Sequence, residues 1–308
     1  MKQKIIFIVG PTAVGKSEIA VRLAKKLKGE IISCDSMQVY RKMDILTSKP
    51  CQGLRDKIPH HLVDILPVNK EYDVSTYRKQ ALKNIKNIFK RGKLPIFVGG
   101  TGLYMTILID GIFEAKVGDA RIRNRLYKIS ALKGNRFIYN RLKKVDPEAA
   151  GKIHPNDKKR IIRALEVFES LGKPISLLQK QRRGLKDEHD ISIFCLNMNR
   201  PALYKRIDQR VDRMFKQGMV NEVRGLLRLK LSKTASCAIG IRELKEYFDG
   251  ACDLQEARCL IKHNTRHYAK RQLTWFRKDK RIKWINISDK SKSKDIADKI
   301  AKKIHSGK

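Results

Sequence analysis

The chain has 308 residues, 42% of them hydrophobic, and 69 Lys and Arg against 31 Asp and Glu, a formal charge of +38. That length carries one large or two ordinary domains with a real core, and no run of 18 apolar residues exists to span a membrane. The charge points to a polyanionic partner, although a lysine-rich composition accounts for part of it and charge alone does not name the partner.

The first element is the apolar run Ile5 to Val9, read as a buried strand. A strand this early leaves no signal or transit peptide to expect. Next comes Gly10-Pro11-Thr12-Ala13-Val14-Gly15-Lys16-Ser17, which fits the phosphate-loop pattern of Gly, four residues, Gly-Lys-Ser. A helical pattern follows, with Ile19, Ala20, Leu23, Ala24 and Leu27 on one face and Gly29 as its expected end. Strand, loop and helix in that order are the context the motif requires. The loop N–H groups and the helix N-terminus form an anion cradle, with Lys16 reaching terminal phosphates and Ser17 holding Mg²⁺.

Glu30 to Cys34 forms a second strand that empties into Asp35-Ser36-Met37-Gln38-Val39-Tyr40. A carboxylate there lies where doubly wound sheets place ligands. Asp35 can be a metal-associated acid, a general base or a cap, and its local sequence favours the cap. Thr47 to Pro50 reads as a polar turn, and Pro59 to Ile65 as a short strand with Asp64 near its end. A helix is expected over 76–90, then a buried strand over Leu94 to Val98 running into Gly99-Gly100-Thr101-Gly102-Leu103-Tyr104. Two glycines at a strand end permit close approach of backbone to a ligand or unusual dihedrals, with Thr101 presenting a hydroxyl to the same crevice as Asp35.

From about Glu114 strand-like runs vanish until Ile191, and 118–190 holds 19 basic against 9 acidic residues. Residues 114–190 read as a helical insertion in a core of 1–113 and 191–308. A strand over Ile191 to Leu196, a charged helix from Tyr204, a long helix from Asp253 to Phe276, a strand over Ile282 to Ile287 and a lysine-rich helix complete the chain. His263 and His267, four apart, lack a third ligand and read as surface residues. The six cysteines form no Cys-x-x-Cys pair, which argues for a reducing cytosol and against a disulfide framework or zinc site.

The fold expected is an α/β parallel sheet of the phosphate-loop kind, with the helical insertion and a helical C-terminal part. Three functions fit: a small-molecule kinase, an ATP-driven nucleic-acid-binding protein, or a transferase with a diphosphate donor and a nucleic-acid acceptor. ATPases pair the loop with a hydrophobic strand ending in a metal-holding Asp. Here the strand before Gly99 ends in glycine and only Asp64 offers a weak substitute. A small-molecule kinase has no need of a +38 surface, whereas the transferase uses both signals.

Seven ordered stretches make the chain resemble the bacterial tRNA dimethylallyltransferases, or tRNA isopentenyltransferases, over nearly its whole length. They are 10–17, 35–40, Pro-His-His-Leu at 59–62, Gly-Gly-Thr-Gly-Leu-Tyr at 99–104, Ile-His-Pro-Asn-Asp at 153–157, Arg-Ala-Leu-Glu-Val at 163–167 and Ala-Lys-Arg-Gln-Leu-Thr-Trp at 269–275. The resemblance implies transfer of a dimethylallyl group from dimethylallyl diphosphate to N6 of the adenosine 3′ to the tRNA anticodon. On this view the loop 10–17 holds the donor diphosphate with Mg²⁺ at Ser17, and Asp35 is the catalytic base. Thr101 contacts the reacting nucleotide, and Arg210 contacts the diphosphate unless it pairs with Asp208 or Asp212. The implied tRNA contacts are Asp35, Ser36, Met37 and Gln38; Thr101 and Arg123; Lys159, Arg160, Ile161, Ile162 and Arg163; and Cys237, Ala238, Ile239, Gly240, Ile241 and Arg242. A cytoplasmic, monomeric enzyme of bacterial type, without a zinc-finger extension, is expected. Leu46, Ile241 and Glu243 depart from the usual Gly, Tyr and Gln, and bear on tRNA affinity and substrate range.

Overall fold

Runs of Ile, Val and Phe that do not alternate with polar residues form strands covered on both faces. Ile5 to Val9 follow that rule, with at most 1% exposure each. The computed structural model describes residues 2–113 and 119–306. Its sheet has six parallel strands: β1 (Lys4–Val9), β2 (Gly29–Ser33), β3 (His60–His61), β4 (Leu94–Gly99), β5 (Asp190–Met198) and β6 (Lys283–Ile287). Their spatial order is β3-β2-β4-β1-β5-β6. The central strand β1 thus has β4 on one side and β5 on the other, and Phe7 stacks on its register partner Phe97 at 4.6 Å. The carboxyl ends of β1, β2, β4 and β5 all open on one edge, where ligands of open parallel sheets bind.

Chain contacts divide the molecule into two units, Met1–Ile109 with Glu188–Lys308, and Asp110–Asp187. The first unit contains α1 (Lys16–Lys26), α2 (Val74–Lys90) and α3 (Gly102–Ile109). The second has helices and no strand among its described residues, and its two long helices are α4 (Ala120–Val145) and α5 (Lys158–Leu171). Returning to the first unit, the chain forms α6 (Arg200–Lys216), α7 (Met219–Leu227), α8 (Ile241–Phe248), α9 (Leu254–Phe276) and α10 (Ser293–His305). The unit starts four residues before and ends three residues before the expected 114–190, as α3 ends at Ile109 and β5 pairs from Asp190. The expected start of the insertion, 114–118, lies outside the described residues.

Two local expectations change. Gly29 does not end α1, which caps at Leu27; it opens β2, where a Cβ would lie 2.8 Å from the Leu94 carbonyl. The strand expected over 59–65 shortens to His60–His61, because Leu62 and Asp64 turn to φ of 61° and 63°. In the second unit Leu126, Ile138, Leu142, Ile161, Ile162 and Leu165 form a core of their own. Glu166, with 0% exposure, accepts from Arg123 Nη2 at 2.8 Å and Arg163 Nη1 at 3.0 Å, so the buried carboxylate is met by two guanidinium groups.

Candidate active site

Beyond β1 the chain turns sharply. Gly10 takes φ of 144°, where a Cβ would also lie 2.7 Å from the Leu196 carbonyl, and Gly15 takes φ of 93° before α1 begins. Val14 is buried and anchors the loop in the core. Thr12, Ala13, Gly15, Lys16 and Ser17 line a cavity of about 680 Å³; Gly10, Pro11 and Val14 shape the loop from behind. Lys16 Nζ donates to the Gly10 and Pro11 carbonyls at 3.0 and 2.7 Å. Removal from water, then the positive charge of Arg210, lowers the Lys16 ammonium to about 8, against an opposing pull from Asp35.

Arg210, on α6, reaches the same place. Its Nε donates to Ser48 Oγ at 2.8 Å and its Nη1 to Thr12 Oγ1 at 3.1 Å. The alternative ion pairs do not form, since Asp208 pairs with Arg266, and Asp212 with Arg258 and Lys262. Burial lowers Arg210 to about 10, with Asp35 opposing. Two cations are therefore held together in a partly desolvated pocket, an arrangement that favours a polyanion.

Asp35 follows β2 and faces the cavity. Its Oδ1 accepts from Met37 N at 2.9 Å and Gln38 N at 3.3 Å, so the capping geometry read from sequence is present. Oδ2 has no hydrogen-bond partner among the described residues, and one carboxylate both caps the turn and keeps an oxygen available. Ser36, Met37 and Gln38 line the cavity, as do Cys237, Ala238 and Ile239. Thr101 lies behind this wall, and its Oγ1 accepts from Ser36 N at 3.2 Å.

Gly99 lines the cavity as expected, and the glycines of 99–102 have a second reason as well. None has a positive φ, and each yields space to the protein itself. A Cβ at Gly99 would lie 2.0 Å from the Cys34 carbonyl oxygen, at Gly100 2.0 Å from Gln272 Nε2, and at Gly102 2.3 Å from the Trp275 ring. Asp64 is no substitute metal carboxylate, because Lys49 holds it at 2.7 Å. Among the described residues no group of three His, Cys, Asp or Glu could hold a metal. His263 and His267 are exposed on α9.

Sequence reasoning missed four groups. Ser48 supports Arg210. Glu222 accepts from the N–H groups of Asp44, Ile45 and Leu46 at 2.8–3.0 Å, fixing the loop that carries Ser48. Gln272 joins the phosphate loop to Gly100, and Tyr268 lines the cavity beside Thr101. Gln272 lay inside a quoted motif; Glu222 left no local signal.

The profile of the family "IPP transferase" matches residues 38–279, and that of "Isopentenyl transferase" matches 3–55. The chain belongs to the IPP transferase family. Similar curated relatives of this IPP transferase are the tRNA dimethylallyltransferases of Carboxydothermus hydrogenoformans and Geobacter sulfurreducens. The first is 47% identical over 306 residues, covering 99% of this chain and 97% of the relative; the second is 48% identical over 286, covering 92% of each. Among solved structures, the full-length tRNA isopentenylpyrophosphate transferase of Bacillus halodurans is 39% identical with a TM-score of 0.73. The alignment covers 99% of this chain and 98% of that one. A eukaryotic dimethylallyltransferase, solved acting on tRNA, is 32% identical with a TM-score of 0.83, covering 97% and 77%. The parallel α/β fold expected from the sequence is the fold of this IPP transferase.

The remaining sequence-expected contacts fall in three settings. Lys159 and Arg160 are exposed on α5, whereas Ile161 and Ile162 are core residues with no side-chain surface to offer. Arg123 and Arg163 are engaged by Glu166. Ile241 is buried at the start of α8, and Arg242 beside it is exposed. The three departures from the family pattern meet around Gly240: Leu46 Cδ1 lies 2.6 Å from where a Gly240 Cβ would be. Glu243 accepts from Gly240 N at 2.8 Å.

Proposed function

We propose that this chain transfers the dimethylallyl group of dimethylallyl diphosphate to N6 of the adenosine 3′ to the anticodon of tRNA, acting as a cytoplasmic monomer. The carrying observation is the meeting of the Lys16–Arg210 cation pair, the Asp35 carboxylate and an apolar wall in one cavity. That wall includes Leu46, Val211, Met214, Ile239 and Ile261, and suits a five-carbon hydrocarbon, while the cations suit its diphosphate. The family's relatives are named for this reaction on tRNA.

In the reaction the N6 lone pair forms a bond to C1 of the dimethylallyl group as the C1–O bond breaks, and pyrophosphate leaves with the electron pair. The N6 proton passes to Asp35, whose Oδ2 is the oxygen left open by the turn. Lys16, Arg210 and the loop N–H groups stabilise the charge gathering on the leaving group. Ser17, in the first turn of α1 and on the cavity wall, would hold Mg²⁺ through its hydroxyl. Bound there, Mg²⁺ would supply further charge neutralisation. Lys159, Arg160 and Arg242 offer exposed positive charge to the RNA backbone.

The test is incubation of the protein with Mg²⁺, radiolabelled dimethylallyl diphosphate and unmodified tRNA. Label should enter tRNA with the native chain and fall at least about a hundredfold with Asp35→Ala. Absence of label despite measured tRNA binding would end this reading.

A further inference from the structure

The buried amide of Gln272 has a place that catalysis as described does not use. Its Oε1 accepts from Thr12 N at 2.8 Å and its Nε2 donates to the Gly100 carbonyl at 3.0 Å. The residue is 5% exposed, and 260 and 172 positions separate it from its two partners. We propose that Gln272 is a positioning residue that locks the phosphate loop to the 99–102 turn, so that the donor cradle and the Asp35 side of the cavity are held in one register. The proposal deepens the transferase reading and rests on it.

Both ends of this bridge lead straight to the chemistry. Thr12 is fixed twice, through its N–H by Gln272 and through its Oγ1 by Arg210. Gly100 is followed by Thr101, whose Oγ1 receives the Ser36 N–H next to Asp35. A single side chain therefore stands between the loop bearing Lys16 and the turn that orients the base. Its helix, α9, reinforces the seat: Trp275 Nε1 donates to Thr106 Oγ1 at 3.4 Å, and its ring fills the space a Cβ on Gly102 would take. An amide meets both demands, because one end accepts and the other donates. Glu would keep the acceptor for Thr12 but set an oxygen against the Gly100 carbonyl, and Met would fill the volume with neither bond. Gly100 is the matching half of the device, since a Cβ there would come within 2.0 Å of Gln272 Nε2 and push the amide off its seat.

A double-mutant cycle on the full chain tests the lock, with Gln272→Met, Gly100→Ala and the pair. Three readouts are taken with Mg²⁺ present: Kd for inorganic pyrophosphate, and kcat and KM in tRNA prenylation. Each single variant should weaken pyrophosphate binding about tenfold and lower kcat at least as much, the scale of one buried hydrogen bond lost. KM for tRNA should stay within about twofold, a split that general loosening of the fold would not produce. Because both substitutions break the same bridge, the pair should lose little beyond the worse single variant. Native-like Kd and kcat in folded Gln272→Met, or losses that multiply in the pair, would overturn the proposal. Should Gln272→Met fail to fold, as read by circular dichroism, Gln272→Glu takes its place in the cycle with the same expectations. If the native chain binds pyrophosphate but transfers no label, the transferase reading falls, and the pyrophosphate arm still decides whether Gln272 locks the loop.

Discussion

Lys16 and Arg210 carry the most consequential local fact, a pair of cations drawn together where water is scarce. Burial, then the charge of Arg210, weakens the hold of Lys16 on its proton; burial, then Arg213, does the same to Arg210; Asp35 only partly compensates in each. Lys16 falls to about 8, so the free protein loses its ammonium as pH rises through that value. A bound diphosphate favours the charged amine and raises its pKa in the complex. Proton and anion therefore bind together, and affinity for pyrophosphate is level below about pH 8 and falls above it, by up to about tenfold per pH unit. Calorimetry across pH 6.5–9.5 checks this. Pyrophosphate itself gains charge over that range, so the decisive comparison is with Lys16→Met, which should bind weakly throughout and lack the downward break. A break of equal size in both proteins would place the titration elsewhere.

At the scale of elements, the cavity is a junction of segments that are distant in sequence and tied by carboxylates. Glu222 on α7 is the clearest tie, collecting three consecutive backbone N–H groups of the 44–46 loop. That loop presents Ser48 to Arg210, and the Gln38 amide donates to its Thr47 and Ser48 carbonyls at 3.4 Å. Glu222→Ala should thus act at a distance. It should lower stability by about 1–3 kcal/mol in urea unfolding, for the backbone donors left unmatched. It should also weaken pyrophosphate binding several-fold, as Arg210 loses its stop. A stability loss with unchanged binding would reduce Glu222 to a fastening of the loop alone. Such ties explain what the sequence made legible and what it hid. The phosphate loop, the strand runs and the helix spans are local patterns, so Gly10 to Ser17, β1, β4 and α9 could be read directly. The turn at 47–50 looked like any polar turn, and the glycines of 99–102 showed room for a ligand, which Gly99 does border, but not their fit against the protein itself. Their partners, Arg210, Cys34, Gln272 and Trp275, lie far along the chain, and no periodicity announces a pairing of that kind. Ile161 and Ile162 mark the converse limit: a motif match placed them at an RNA surface, and helix geometry turned them into the core.

The whole molecule is dominated by its +38 charge, which the small cavity does not require. A donor diphosphate is met by a few groups in an enclosed site, whereas an RNA backbone is met by many exposed cations. The two substrates should therefore respond differently to salt. Each phosphate neutralised releases condensed counterions, with a slope of log K against log salt of roughly −0.7 to −0.9 per contact. With about five contacts, tRNA affinity should fall on the order of a hundredfold between 50 and 200 mM salt. Pyrophosphate, bound by fixed donors in a partly desolvated pocket, should lose far less over the same range. Fluorescence titrations of a labelled anticodon stem-loop and calorimetry with pyrophosphate would measure the two slopes. Lys159→Ala with Arg160→Ala should make the RNA slope shallower by about 1.5 and leave the pyrophosphate slope unchanged, because these exposed side chains lie outside the cavity wall. Equal slopes for both ligands would assign the positive surface to something other than tRNA, and an RNA slope untouched by the double substitution would take the 159–160 face out of the contact. The charge would then be the lysine-rich composition weighed at the outset, with recognition left to the cavity rim at Met37, Gln38 and Ile239.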